Sequence, residues 1–110
     1  MMKKIAAVIY AQEPDPGVLA EVLAGLEEEG VPGEVVVETD AAVGSGPYIP
    51  SVLAKAAASE SVFGCGVGLN GGGAALYAGG AEILAPGAAA PRLIGKNAAL
   101  FIKKERFELA

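Results

Sequence analysis

Two strand-length apolar runs with a fully punctuated helix between them constrain this chain most. Lys4 to Tyr10 is apolar from Ile5 onward, and Gly33 to Thr39 is β-branched through Val35, Val36 and Val37. Between them Val18, Leu19, Val22, Leu23 and Leu26 recur at helical spacing. Asp15 and Pro16 supply an N-cap and a first-turn proline, and Gly30 takes the C′ position after residues 16–29. Strands that are apolar on both sides must be covered on both faces, and strands separated by helices imply a mostly parallel sheet.

The rest of the chain extends the pattern. Asp40 to Pro47 is a loop punctuated by Gly44, Ser45, Gly46 and Pro47. Ile49 to Ser59, with Val52, Leu53 and Ala56, predicts a second helix, and Val62 to Leu69 a third strand. Asn70-Gly71-Gly72-Gly73 is a turn leading to a hairpin partner over Ala74 to Ala78. Ile83-Leu84 suggests a short fifth strand. Arg92 to Lys104 is a last helix, with Ile94, Ala98, Phe101 and Ile102 facing inward and Lys103-Lys104 favourably placed at its end. The order is β-α-β-α-β-β-β-α. The hairpin adds one antiparallel strand. No internal repeat or long linker divides residues 1–110, so one domain is expected.

The chain is 53% hydrophobic, yet it has only three phenylalanines and three tyrosines. Its core must therefore pack tightly with small side chains. It has no histidine and one cysteine, which removes histidine-based catalysis, most zinc spacings and an internal disulfide. A reducing, cytoplasmic compartment fits. No apolar run reaches transmembrane length. The segment Met1 to Tyr10 has the look of a short signal peptide, but Gln12, Glu13 and Asp15 follow too soon, so it reads as a buried strand. The formal charge of −5 argues against a nucleic-acid partner. Most acidic residues precede Ala41, whereas Arg92, Lys96, Lys103, Lys104 and Arg106 crowd the other end.

Gly66-Val67-Gly68-Leu69-Asn70-Gly71 matches the glycine spacing of dinucleotide-binding folds. That motif must follow the first strand and open a helix, where the helix N-terminus holds the pyrophosphate. Here it lies inside the third strand and runs into a hairpin. The glycines at 64, 66 and 68 fall on one strand face, which suits close approach of a helix backbone or a partner chain. Cys65 has no basic neighbour in sequence to activate it and reads as a buried structural thiol. Ser45 and Ser51 lack a visible general base, so no catalytic residue is assigned. Asn97 reads as a cap or tether, with a partner contact as the alternative.

Gly25-Leu26-Glu27-Glu28-Glu29-Gly30-Val31-Pro32 places three carboxylates in the last turn of the first helix. The helix dipole is negative there, so each exposed acid is unfavourable by about 0.3–1 kcal/mol, and the three repel one another. One reading is a solvated acidic turn. The other is a site for a cation or a basic partner.

This stretch closely resembles one found in two related chains of cobalamin-dependent diol and glycerol dehydratase systems: the dehydratase medium subunit and the small subunit of the dehydratase-reactivating factor. Gly64-Cys65-Gly66-Val67-Gly68-Leu69 and Ile94-Gly95-Lys96-Asn97-Ala98-Ala99 add to the resemblance. The chain begins almost on its first strand, which resembles the reactivase small subunit more than the longer medium subunit. The resemblance implies a three-layer α/β/α domain with a mixed, mostly parallel sheet of about five strands, of the anticodon-binding-domain type. It implies a non-catalytic subunit that binds an actin-like ATPase large subunit, takes part in exchange with dehydratase subunits, and so helps release damaged cobalamin.

The resemblance also implies hetero-oligomeric, cytoplasmic assembly, with a bacterial microcompartment as an associated site. No cofactor is expected on the chain alone. Glu28 is expected to reach a Mg²⁺ held by the large subunit, with Glu27, Glu29, Lys96 and Asn97 as partner contacts. The alternatives are a structural medium subunit of the dehydratase itself and a free-standing nucleotide- or flavin-binding domain. The short, alanine-rich segment from Gly79 to Pro91 departs from the family pattern, so contacts that relatives make there are not carried over.

Overall fold

Asp15 opens the first helix as its sequence predicts. Its carboxylate accepts hydrogen bonds from the amides of Gly17 at 2.8 Å and Val18 at 3.3 Å. The computed structural model describes residues 3–37 and 48–104. Its elements are β1 (Ala7–Pro14), α1 (Pro16–Glu28), β2 (Gly33–Val37), α2 (Pro50–Ser59), β3 (Cys65–Gly71), β4 (Gly73–Ala78), β5 (Ala81–Leu84) and α3 (Pro91–Ile102). The predicted loop over 40–47 lies outside the described residues.

The strands form one sheet in the order β2-β1-β3-β4-β5. β1 is parallel to both β2 and β3, whereas β4 pairs antiparallel with β3 and with β5. Only β4 therefore runs against the rest. Alternation along the strands divides the core. Ile9, Val67, Leu69 and Leu76 face Val22 and Leu26 of α1 and Ile94 and Ala98 of α3. Val8 and Tyr10 face Leu53 and Ala57 of α2 on the opposite side. The result is the expected three-layer α/β/α arrangement.

Glycine sets how closely the layers approach. A Cβ on Gly68 would stand 2.5 Å from the Ala54 amide nitrogen of α2, and one on Gly66 would stand 2.8 Å from the Ala57 carbonyl carbon. Helix α2 therefore lies backbone-on-backbone over β3. The same device joins α1 to α3. A Cβ on Gly25 would stand 2.7 Å from the Lys96 amide nitrogen, and one on Gly95 would stand 2.8 Å from the Val22 carbonyl carbon. Gly64 does not belong to this set. It precedes β3 and holds φ at +66° with nothing within 4 Å of its missing Cβ.

The bounds of β1 and β3 depart most from the sequence reading. β1 starts at Ala7, not Lys4, and runs on to Pro14. The strand pairing of Lys4 is limited to an isolated bridge to Ser61, and Ile5 is 74% exposed. The extension survives its polar residues because pairing with β3 continues through Gln12–Asn70 and Pro14–Gly71, across a bulge at Glu13. β3 starts at Cys65, not Val62. The Ser61 hydroxyl donates to the Ala6 carbonyl at 2.7 Å and accepts from the Phe63 amide at 3.1 Å, and the Gly64 amide donates to the Ser61 carbonyl at 3.0 Å. These local bonds make a turn of residues 61–64 and leave Val62 and Phe63 exposed.

Gly95→Ala and Gly66→Ala should each destabilise the chain by about 3 kcal/mol or more, at the upper end of overpacking effects, because the methyl meets backbone that cannot swing away. Gly72→Ala, with open space around it, should be close to neutral. Urea denaturation of the three variants checks the contrast. A Gly95→Ala chain as stable as Gly72→Ala would show that the helices separate at little cost.

Candidate functional site

The acidic end of α1 is built by its cap and by α3. Glu29 is the C-cap residue, and Gly30 follows with φ at +70°. The amides of Glu29 and Val31 both donate to the Leu26 carbonyl at 3.1 Å, and that of Gly30 donates to the Glu27 carbonyl at 3.0 Å. The turn is thus rigidly closed, and the three carboxylates fan out around it. The Gly25–Gly95 contact then lays α3 directly alongside.

Each carboxylate meets a different environment. Lys103 Nζ pairs with Glu29 Oε1 at 2.9 Å and also reaches the Glu29 carbonyl at 3.4 Å. The Glu29 side chain is only 18% exposed, compared with 46% for Glu28. The hydrogen bond from Lys103 holds the Glu29 carboxyl below its ordinary value, helped by the charges of Lys103 and Lys96 and opposed by desolvation. Arg92 bridges two acids of α1. Its Nη2 donates to Glu21 Oε2 at 2.9 Å, and its Nη1 stands 3.4 Å from Glu28 Oε2. Glu27 has no ion pair among the described residues. It lines a shallow cavity of about 360 Å³ with Leu23, Leu26, Val31, Pro32 and Gly33.

The unfavourable dipole and like-charge terms are thus offset in part within the chain. The cations that do this, Arg92 and Lys103, were visible in the sequence only as part of a basic C-terminal half. Nothing local marked them as partners of the acidic turn. Among the described residues, no group of three or more His, Cys, Asp and Glu side chains is placed to hold a metal ion. A single exposed carboxylate such as that of Glu28 can offer one oxygen ligand to an ion whose other ligands come from elsewhere.

The two α3 candidates separate. Lys96 is half-buried where α3 meets Gly25. Asn97 is wholly buried in the interior of the helix. It is neither a cap, since Ala90 occupies the N-cap position, nor a surface group. Asn97 therefore acts inside the fold, whereas Lys96 keeps part of its side chain at the surface. Cys65 is also buried. Its Sγ lies 3.7 Å from the Ala98 carbonyl, and burial pushes its thiol from 9.0 up to about 12. The glycine pattern over 66–71 runs along β3 into the hairpin, so it presents no helix N-terminus to a pyrophosphate.

The family model for the dehydratase medium subunit matches residues 4–108. The chain belongs to this family. It is similar to a chain in the structure of diol dehydratase-reactivating factor complexed with ADP and Mg²⁺, with a TM-score of 0.75 and 24% identity. That match covers 96% of this chain and 99% of the other. A glycerol dehydratase reactivase chain matches with a TM-score of 0.74 and 25% identity, over 96% of this chain and 97% of the other. No curated protein matches the chain. Among the described residues, no helix is long and apolar enough to cross a membrane.

Two pH effects follow. Because the Glu29 carboxyl is depressed in the folded chain, its contribution is present above its ordinary value of 4.5 and is lost as pH falls through the depressed value. Lys103→Met should therefore flatten the stability loss between about pH 5 and pH 3 seen by urea denaturation. An unchanged acid limb would mean that the pair contributes nothing.

Cys65 acts in the opposite pH range. The unfolded thiol ionises near 9.0, whereas the folded one keeps its proton up to about 12, so stability should fall as pH rises through that window. Cys65→Ala should remove that alkaline loss. Iodoacetamide should label the native wild type only at its unfolding rate. Rapid native labelling would place the thiol at the surface.

Proposed function

We propose that this chain is the non-catalytic small subunit of a reactivating factor for an adenosylcobalamin-dependent diol or glycerol dehydratase. The observation that carries the reading is the full-length likeness to the glycerol dehydratase reactivase chain, 25% identical over 96% of this chain. Membership of the dehydratase medium subunit family supports it. In this reading the chain binds an actin-like ATPase large subunit and vacates that surface, or occupies it, as dehydratase subunits exchange. It performs no chemistry itself.

The acidic end of α1 is the contact we assign to the large subunit. A hard divalent cation takes oxygen ligands, and the Glu28 carboxylate is an oxygen donor exposed enough to reach one. The donor set fits a single ligand supplied to Mg²⁺ held mainly by the partner. Bound there, the ion would neutralise negative charge at the end of α1 and tie the two subunits together. Glu27, Glu29 and Lys96 flank the contact. The family match keeps one other reading in play, that of the structural medium subunit of the dehydratase itself. Co-purification separates the two, since an ATPase partner supports the first and large and small dehydratase subunits support the second.

Glu28→Gln should leave thermal stability unchanged and remove the Mg²⁺-dependent part of association with the ATPase large subunit, read by titration calorimetry with and without Mg²⁺. The purified chain should show no ATP hydrolysis or diol dehydration that scales with its concentration. Equal affinity of wild type and Glu28→Gln in both conditions would leave the acidic turn an ordinary solvated one.

A further inference from the structure

Arg92 is shared between two carboxylates and is fully matched to neither. Its Nη2 donates to Glu21 at 2.9 Å, its Nη1 stands 3.4 Å from Glu28, and its Nε–H is buried without a hydrogen-bond partner among the described residues. A guanidinium binds a carboxylate best through two parallel N–H bonds. Nε and Nη2 lie along one edge of the planar group, so the edge that already holds Glu21 has an unused donor beside it. The second oxygen of the Glu21 carboxylate, on the same carbon as the one already bound, is the acceptor that a two-bond fork would use. A buried donor left unmatched is unfavourable, which makes such a fork worthwhile once Nη1 has nothing to hold.

Building on the Mg²⁺ reading above, we propose that Arg92 is a handover residue for Glu28. In the free chain it bridges Glu21 and Glu28 and keeps the Glu28 carboxylate turned toward α3. When Glu28 leaves for a partner-held divalent cation, Arg92 closes onto Glu21 as a two-bond fork through Nε and Nη2. The longer contact is given up, the unmatched Nε–H is satisfied, and the guanidinium never loses a carboxylate partner. Two consequences follow. A loose cation must displace Arg92 to reach Glu28, so the free chain resists adventitious metal. A cation presented by a partner finds Glu28 already oriented and cheaply released.

The test compares wild type, Glu21→Gln, Arg92→Lys, Arg92→Gln and Glu28→Gln. Each is titrated into the ATPase large subunit with and without Mg²⁺, and each free chain is titrated with Mg²⁺ alone. Thermal melts confirm that the variants fold; Glu21 is half-exposed, so its variant keeps the test available if an Arg92 variant does not. Glu21→Gln removes the carboxylate onto which Arg92 retreats, and Arg92→Lys cannot form the fork. Both should lower the Mg²⁺-dependent affinity roughly two- to fivefold, the range of an exposed ion pair, and leave the Mg²⁺-free affinity unchanged. Arg92→Gln frees Glu28 and should raise the free chain's affinity for Mg²⁺ alone by a similar factor.

A Mg²⁺-dependent affinity for the large subunit that Glu21→Gln does not lower, or a free-chain affinity for Mg²⁺ that Arg92→Gln does not raise, overturns the handover. Glu28→Gln tells the two levels apart. If it keeps full Mg²⁺ dependence, the metal reading fails and the handover with it. If it loses that dependence while the Glu21 and Arg92 variants match wild type, the handover alone fails.

Discussion

With no side chain at Gly25 or Gly95, the backbones of α1 and α3 touch, and the ion pairs described at the acidic helix end depend on that approach. A methyl at either position would meet main-chain atoms of the other helix. Spreading the helices would carry Arg92 away from Glu21 and Glu28, and Lys103 away from Glu29. The same solution recurs across the sheet, where Gly66 and Gly68 let α2 lie on β3. A core with few aromatic side chains has little volume to place between layers, and direct backbone contact at these glycines closes the gap.

The electrostatics of the site follow from that packing. Three carboxylates at a helix C-terminus are disfavoured by the dipole and by each other. Here Lys103 ties down Glu29, Arg92 spans Glu21 and Glu28, and Glu27 is left to solvent beside an apolar cavity. The pairs are of unequal commitment. Glu29 is mostly covered and held by a short bond, whereas Glu28 is half-exposed and held at 3.4 Å. Exposed pairs of that length contribute little to stability. Of the two paired carboxylates of the triplet, Glu28 is therefore the more easily surrendered to another cation.

Much of the architecture could be read from the chain alone because its signals are local. Asp15, Pro16 and Gly30 mark the ends of α1 through bonds to residues within a few positions. Apolar spacing identified the inward faces of α1 and α3, and the glycines at 66 and 68 announced a close neighbour. The misreadings are equally specific. Val62 looks like strand but belongs to a turn made by the Ser61 hydroxyl. Gln12 lies beyond the apolar run read as strand but stays in β1 because Asn70 of β3 pairs beside it. Asn97 reads as a cap or tether with a partner contact as the alternative, and its burial inside the fold removes the cap and the surface contact.

The sequence by itself determined the order of elements, the capping of the first helix, the small-residue core and the position of the acidic triplet. Each depends on neighbours a few residues apart or on composition. Only the tertiary structure decided which cations meet those acids. Arg92 lies 71 residues from Glu21, and Lys103 lies 74 from Glu29. No periodicity links positions so distant. They meet because two helices that follow different strands return to the same face of the sheet and touch through glycine.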